Sequence, residues 1–221
     1  MWTLVALTIA VCALLVALWR LNKVPVRGFS AYSNTWEDPV TIKEIITPDE
    51  CQYIINTTEP RFSRSVTVEG ADQTRTSDTA WISKDDPVAR KILQKACELT
   101  GKDFENCEDI QVVRYHPGTF YKPHHDSCCD NSQKCREFEA RGGQRVGTLL
   151  VYLNDAFTDG ETHFPNNGDV KIKVDPGNGV FFRPLDSDES KCHPKALHAG
   201  LPVSSGIKYI CNAWVREGEF K

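Results

Sequence analysis

A chain of 221 residues, 40% hydrophobic and 25% charged, has the make-up of one packed domain with room for an appendage, which excludes a disordered chain. Its net charge of −4, with no basic block in the body, excludes a nucleic-acid partner on electrostatic grounds.

Residues 2–19, bounded by Trp2 and Trp19, carry no charge. At helical rise they reach roughly 27 Å, just enough for a bilayer core, with an indole for each interface. No small-residue cleavage site follows, so a retained signal-anchor over residues 1–20 is expected, then a polar stem over 21–39. Arg20, Lys23 and Arg27 follow the span, and the positive-inside rule would put the body in the cytosol. Eight of the nine cysteines lie outside the span, and an even count fits an oxidising lumen; Asn56-Thr57-Thr58 is a glycosylation sequon. The preferred expectation is a single-pass protein of the endoplasmic reticulum or Golgi membrane with its body in the lumen.

Residues 40–46 alternate as a strand. Thr47-Pro48-Asp49-Glu50 predicts a helix start, with a Thr cap, Pro in the first turn and Glu at the capping-box position. That helix should run to about Thr57, with Cys51, Ile54 and Ile55 inward. Residues 61–82 read as short strands around a loop near Gly70. Asp85-Asp86-Pro87 opens a second helix ending at Gly101, with Val88, Ile92, Leu93, Ala96 and Leu99 at helical spacing. The pattern is then β: strands over 110–115, 120–126, 145–154, 169–174, 179–183 and 206–216. Residues 127–144 read as a polar loop with three cysteines. A disulfide tying that loop down and a zinc site are both open, and pairing cannot be read from sequence. Helices first and many short strands afterwards suggest a sheet sandwich with helices packed on one face.

The chemistry starts at Tyr121-Lys122-Pro123-His124-His125-Asp126. In extended chain, residues i and i+2 point the same way, so His124 and Asp126 can grip one ion while His125 points away. By residue type alone, His124 and His125 are equivalent. A third ligand, His198, completes a face of two imidazoles and one carboxylate, which suits iron(II) with open positions for a chelating 2-oxo acid and dioxygen. Ten residues beyond His198, Lys208 offers a compact cation for the far carboxylate of such an acid.

Four blocks then carry a resemblance. They are residues 108–126; Gly142-Gly143-Gln144-Arg145 with its continuation to Asn154; Asp159-Gly160-Glu161-Thr162-His163-Phe164-Pro165; and Leu197-His198-Ala199-Gly200 with Lys208 and Trp214-Val215-Arg216. In order and spacing the chain resembles the prolyl 4-hydroxylase family of 2-oxoglutarate- and iron(II)-dependent dioxygenases, short membrane-anchored type, over roughly residues 40 to 216. The resemblance implies a mainly β fold with flanking helices (α+β): a double-stranded β-helix, or jelly-roll, core with N-terminal helices on one sheet, and a catalytic domain over 40–221. It implies His124, Asp126 and His198 as iron ligands and Lys208 on the distal carboxylate of 2-oxoglutarate. Tyr115, Thr162 and Tyr152 would line that pocket, Arg145 would bind peptide, and Trp214 would close the pocket. Iron(II), 2-oxoglutarate, dioxygen and L-ascorbate are the implied cofactors and co-substrates, and a proline-containing polypeptide is the implied partner. Hydroxylation of another protein residue and a silent anchored peptide-binding module remain alternatives. His125, His163, Arg216 and the cysteine-rich loop depart from the family pattern. Nothing in the sequence sets the oligomeric state.

Overall fold

The computed structural model describes residues 36–65, 74–186 and 191–221. They belong to a compact unit, Asn34–Lys221. In chain order, β1 (Val40–Ile42) leads to α1 (Pro48–Thr58), β2 (Ser63–Arg64), β3 (Asp78–Ile82), α2 (Pro87–Thr100), β4 (Ile110–Tyr115) and β5 (Tyr121–His124). Then come α3 (Gln133–Glu139), β6 (Arg145–Tyr152), β7 (Phe157–Asp159), β8 (Thr162–Phe164), β9 (Val170–Ile172) and β10 (Gly179–Phe182). The chain closes with β11 (His198–Gly200), β12 (Val203–Gly206) and β13 (Lys208–Arg216).

A large antiparallel sheet runs in the order β1-β10-β6-β13-β4-β3-β2, and a smaller one in the order β5-β11-β8-β9. A two-stranded ribbon joins β12 to β7. This is the jelly-roll arrangement. Its helices start where local chemistry directs: Thr47 and Glu50 satisfy each other's backbone N–H groups in a capping box, and Asp86 accepts from Val88 N and Ala89 N. Alternation along the large sheet then sorts the core. One face gives Ile82, Ile110, Val112, Leu149, Val151, Cys211, Ala213 and Val215 to Ile54, Ile92 and Leu93 of the two helices. The other gives Val113, Tyr115, Leu150, Tyr152 and Ile210 to Phe157 and Val203, and this inner face is where the polar residues of interest collect.

Several elements differ from expectation. The loop over 127–144 contains α3, capped by Ser132, whose hydroxyl accepts from Cys135 N. Its turn is polar apart from Phe138, so no apolar stripe announces it. Strands β7, β8, β11 and β12 are three or four residues long and exist through their partners. The even cysteine count does not make four pairs. Cys128 joins Cys135 and Cys129 joins Cys192, while Cys51, Cys97, Cys107 and Cys211 are free and serve as small core residues.

The membrane placement is corrected. Among the described residues no helix is long and apolar enough to cross a bilayer. The longest, α2, has 14 residues, roughly 21 Å, and its apolar positions form one stripe against the sheet. Residues 2–19, on which the anchor rested, lie outside the described residues. The glycosylation sequon falls inside α1 rather than in a loop, with the buried Thr58 hydroxyl donating to Ile54 O. The end of the expected stem is tied to the body: Trp36 donates to Arg183 O at 2.9 Å and stacks on His193.

Candidate metal centre and co-substrate pocket

Strands β5 and β11 are antiparallel neighbours, and their register sets His124 opposite His198. Asp126 follows two residues after His124 and turns its carboxylate between them. His124 Nε2 lies 3.7 Å from Asp126 Oδ1, and His198 Nε2 lies 3.8 Å from Oδ2. One donor atom from each of the three lies within 4.8 Å of the others. His125 turns to a different group, with Cys129 and Cys192.

The surroundings fix which atoms face the gap. His124 Nδ1 is 2.8 Å from Lys122 O and His198 Nδ1 is 3.0 Å from Ala196 O. A carbonyl needs a donor, so both Nδ1 atoms carry the proton and both Nε2 lone pairs are free for a metal. Asp126 Oδ2 accepts from Thr148 Oγ1 at 2.8 Å and from Trp214 Nε1 at 3.0 Å, which leaves Oδ1 toward the gap. Burial alone would raise the Asp126 carboxyl. The neighbouring His198 and His124 imidazoles, Arg145 and the Trp214 indole outweigh it and hold the acid well below the usual carboxylate range. His124 is pushed the other way, below the usual imidazole range, first by burial and then by His198. A neutral imidazole and an ionised carboxylate are the forms that bind a cation. Two nitrogens and one hard oxygen, with room for further ligands, fit iron(II). Tyr121 stacks on His124 at 3.5 Å, and Phe182 and Phe164 flank His198, keeping water from those sides.

Lys208 opens β13, opposite Tyr115 of β4. It is buried, and its Nζ donates to Gly160 O at 2.6 Å. Rings of Tyr152, Tyr115 and Phe157 surround the ammonium at 5.0, 5.2 and 6.0 Å. Burial drives its pKa down to about 7, against the pull of Glu161. Among the described residues one carbonyl accepts from one of the three Lys208 N–H donors, which leaves two that a carboxylate can use. Thr162 faces Gly200 across β8 and β11, and an added Cβ at Gly200 would come within 3.2 Å of the Tyr115 hydroxyl. The Tyr152 hydroxyl donates to Ile172 O and receives the Thr162 N–H, with Thr162 Oγ1 at 2.9 Å. Its place is to hold Thr162 rather than to offer a free hydroxyl.

Arg145 and Trp214 meet beside Asp126 instead of beside Lys208. The Arg145 guanidinium lies 3.5 Å over the Trp214 ring, grips Glu108 through two bonds and donates to Asp126 O. Arg216, which departs from the family pattern, is fully buried and shares Glu108. Sequence reasoning missed Thr148, Tyr121, Glu108 and Gln144. Gln144 bonds the Cys128 backbone in both directions, and Ser127 donates to Arg145 O, so the turn after Asp126 is pinned from two sides. Alternation along β6 would have turned Thr148 inward; the other contacts had no local signal.

The family model of the 2OG-Fe(II) oxygenase superfamily matches residues 110–216. A protein of Acanthamoeba polyphaga mimivirus bearing a prolyl 4-hydroxylase name is 42% identical over 194 residues, covering 87% of this chain and 80% of its own. Prolyl 4-hydroxylase 1 of Arabidopsis thaliana is 31% identical, with 80% of this chain and 68% of its own covered. The chain belongs to the prolyl 4-hydroxylase family. Among solved structures, the viral collagen prolyl hydroxylase of Paramecium Bursaria Chlorella virus-1, in complex with 2-oxoglutarate, superposes with a TM-score of 0.65 at 32% identity, over 81% of this chain and 96% of that one. Members of this family of 2-oxoglutarate oxygenases use iron(II), 2-oxoglutarate and dioxygen, with ascorbate as the reductant. The donor set and the buried lysine fit the first two.

Proposed function

We propose that this prolyl 4-hydroxylase family member hydroxylates peptidyl proline at C4, converting 2-oxoglutarate and dioxygen to succinate and carbon dioxide. His124, His198 and Asp126 would hold iron(II). When bound there, the metal supplies dioxygen activation coupled to decarboxylation of the co-substrate. Lys208 pairs with the distal carboxylate, with Tyr115 and Thr162 beside it and Tyr152 orienting Thr162. Trp214 and Thr148 hold Asp126 in one rotamer, and Arg145 stiffens Trp214 from above. The aromatic flanks exclude water and fix the geometry in which substrate meets metal.

The observation that carries this reading is the conjunction of the His124–Asp126–His198 triangle, built from the smaller sheet and the turn after it, with the buried Lys208 ammonium on the large sheet. A binding module needs neither. Peptide binding is supported by Trp81, 46% exposed and 6.3 Å from Trp214 on the same face of the large sheet, since an indole can stack on a proline ring. Relatives named for proline and collagen hydroxylation support the substrate class.

Incubation of the full chain with iron(II), 2-oxoglutarate, ascorbate and a proline-rich peptide tests it. The expected result is succinate release matched by one added oxygen on proline, seen by mass spectrometry. Oxygen on another residue, or no succinate above the peptide-free level, overturns it.

A further inference from the structure

Beside the iron triangle sits a second group of donors that this reading leaves unused. One ring nitrogen of His125 and the sulfurs of Cys129 and Cys192 all lie within 4.8 Å of one another. The two sulfurs form a disulfide. His125 Nδ1 is buried and has no hydrogen-bond partner among the described residues. A buried imidazole nitrogen without a partner costs free energy, and a structure that retains one commonly has a use for it.

We propose that His125, Cys129 and Cys192 form a redox-gated site for a soft divalent cation, zinc by preference. Oxidised, the pair is a disulfide and offers no thiolate. A dithiol reductant attacks the exposed Cys129 side of the bond, leaves as its own cyclic disulfide, and transfers two electrons and two protons to give two thiols. Metal binding then releases those two protons to solvent. Zinc bonds of about 2.3 Å to sulfur and about 2.0 Å to nitrogen put the ligand atoms roughly 3.5 to 4 Å apart. The sulfurs therefore have to separate by less than about 2 Å from their bonded distance, within reach of a side-chain adjustment.

The backbone keeps the group assembled once the bond opens. Cys192 stays bridged to Leu185, with His193 N donating to Pro184 O at 3.0 Å. Gln144 grips the Cys128 backbone next to Cys129. Ser127 O lies 3.4 Å from one sulfur and 3.5 Å from the other, a shared acceptor that keeps both thiols on one side. Two thiolates and one imidazole select zinc over iron(II), magnesium or calcium, so the site does not compete for the ion of the neighbouring triangle. Three protein ligands leave a fourth position for water.

Cobalt(II) is the probe. Thiolate-to-cobalt charge transfer reports sulfur ligation alone, and His124, Asp126 and His198 contribute none. The full chain is titrated without oxygen, as isolated and after reduction by a phosphine, which takes up oxygen from water and does not chelate the metal. The expected result is a band that appears only after reduction and is kept by Cys128→Ser/Cys135→Ser. It is lost in Cys129→Ser/Cys192→Ser, and zinc displaces it. His125→Ala keeps the disulfide and so folds as the parent does; cobalt affinity after reduction should fall about tenfold or more, since even outer partners of metal ligands are worth that much. No new band on reduction, unchanged affinity in His125→Ala, or loss of the band in Cys128→Ser/Cys135→Ser each overturns the proposal.

Discussion

The Trp214 indole donates to Asp126 Oδ2 at 3.0 Å, across 88 residues of sequence. With Thr148 on the same oxygen, it decides which carboxylate atom faces the gap between the histidines. Partners of this kind typically set metal affinity by about 10- to 100-fold. Trp214→Phe keeps the ring beneath Arg145 and removes only the N–H. Iron(II) affinity should fall by about that factor, while the KM for 2-oxoglutarate at saturating iron changes far less. Thr148→Val should act in the same direction. An iron titration of turnover that is superimposable on the parent would show that Oδ2 needs neither donor.

Lys208 gives a pH dependence with a defined sign. Its folded pKa of about 7 sits below the ordinary lysine value of 10.5 because burial disfavours the ammonium. Below about pH 7 the cation is present and ready to pair with a carboxylate. Above it, binding must take up a proton, so the KM for 2-oxoglutarate should climb as pH rises from 7 to 9, by up to about tenfold per pH unit. Stability without co-substrate runs the other way. Between about pH 7 and 10.5 the unfolded chain holds a proton that the folded one has shed, so stability increases with pH. Lys208→Ala should raise the KM and abolish its pH dependence. A pH-independent KM in the parent would contradict the assignment.

How much of this was legible beforehand varies from residue to residue. Both long helices were, because Thr47, Glu50 and Asp86 are local caps whose partners sit three residues away. Strand β4 was, because its six residues, buried on both faces, are rich in β-branched and aromatic side chains. The pairing of His124 with His198 was legible only as a ligand set: β11 is three residues long, and it is a strand because β5 and β8 flank it. Thr148, Trp214 and Asp126 converge from three distant segments, and no window of sequence contains them. The even cysteine count did not mean four disulfides, for a simple physical reason. Cys51, Cys107 and Cys211 are buried small side chains of the helix-facing core, and their presence records packing.

Glu108 carries two cations. Burial alone would raise its carboxyl, but Arg145 and Arg216 outweigh it and hold it below the usual range. Bonds of 2.6 and 2.9 Å to Arg145 and 2.8 Å to Arg216 engage both carboxylate oxygens. Glu108→Ala leaves two buried guanidinium groups facing each other, a change that typically costs about 3 to 5 kcal/mol. Urea denaturation should show that loss. A depressed folded pKa means the stabilisation is present above the unfolded value near 4.5 and vanishes as pH falls through the folded one. The parent should therefore lose stability on acidification below about pH 4.5 more steeply than Glu108→Ala does. Parallel acid profiles would mean the triad stores no such energy.

Tyr152 separates positioning from direct contact. Burial pushes its phenol up to about 12, so at neutral pH the hydroxyl keeps its proton and donates it to Ile172 O. The same oxygen receives Thr162 N at 3.1 Å. In Tyr152→Phe the ring and its contact with Lys208 survive, but the buried Thr162 N–H loses its partner, at a cost of about 1 to 3 kcal/mol before relaxation, and the part-buried Ile172 carbonyl loses its donor. The thermal midpoint should drop. The KM for 2-oxoglutarate should rise only modestly, because Thr162 loosens while Lys208 stays. Thr162→Val leaves Tyr152 in place and should give a similar KM with a smaller loss of stability. If Tyr152→Phe instead raised the KM as far as Lys208→Ala does, with an unchanged melting profile, the hydroxyl would be touching the co-substrate itself, and the bond to Ile172 would have to yield when it binds.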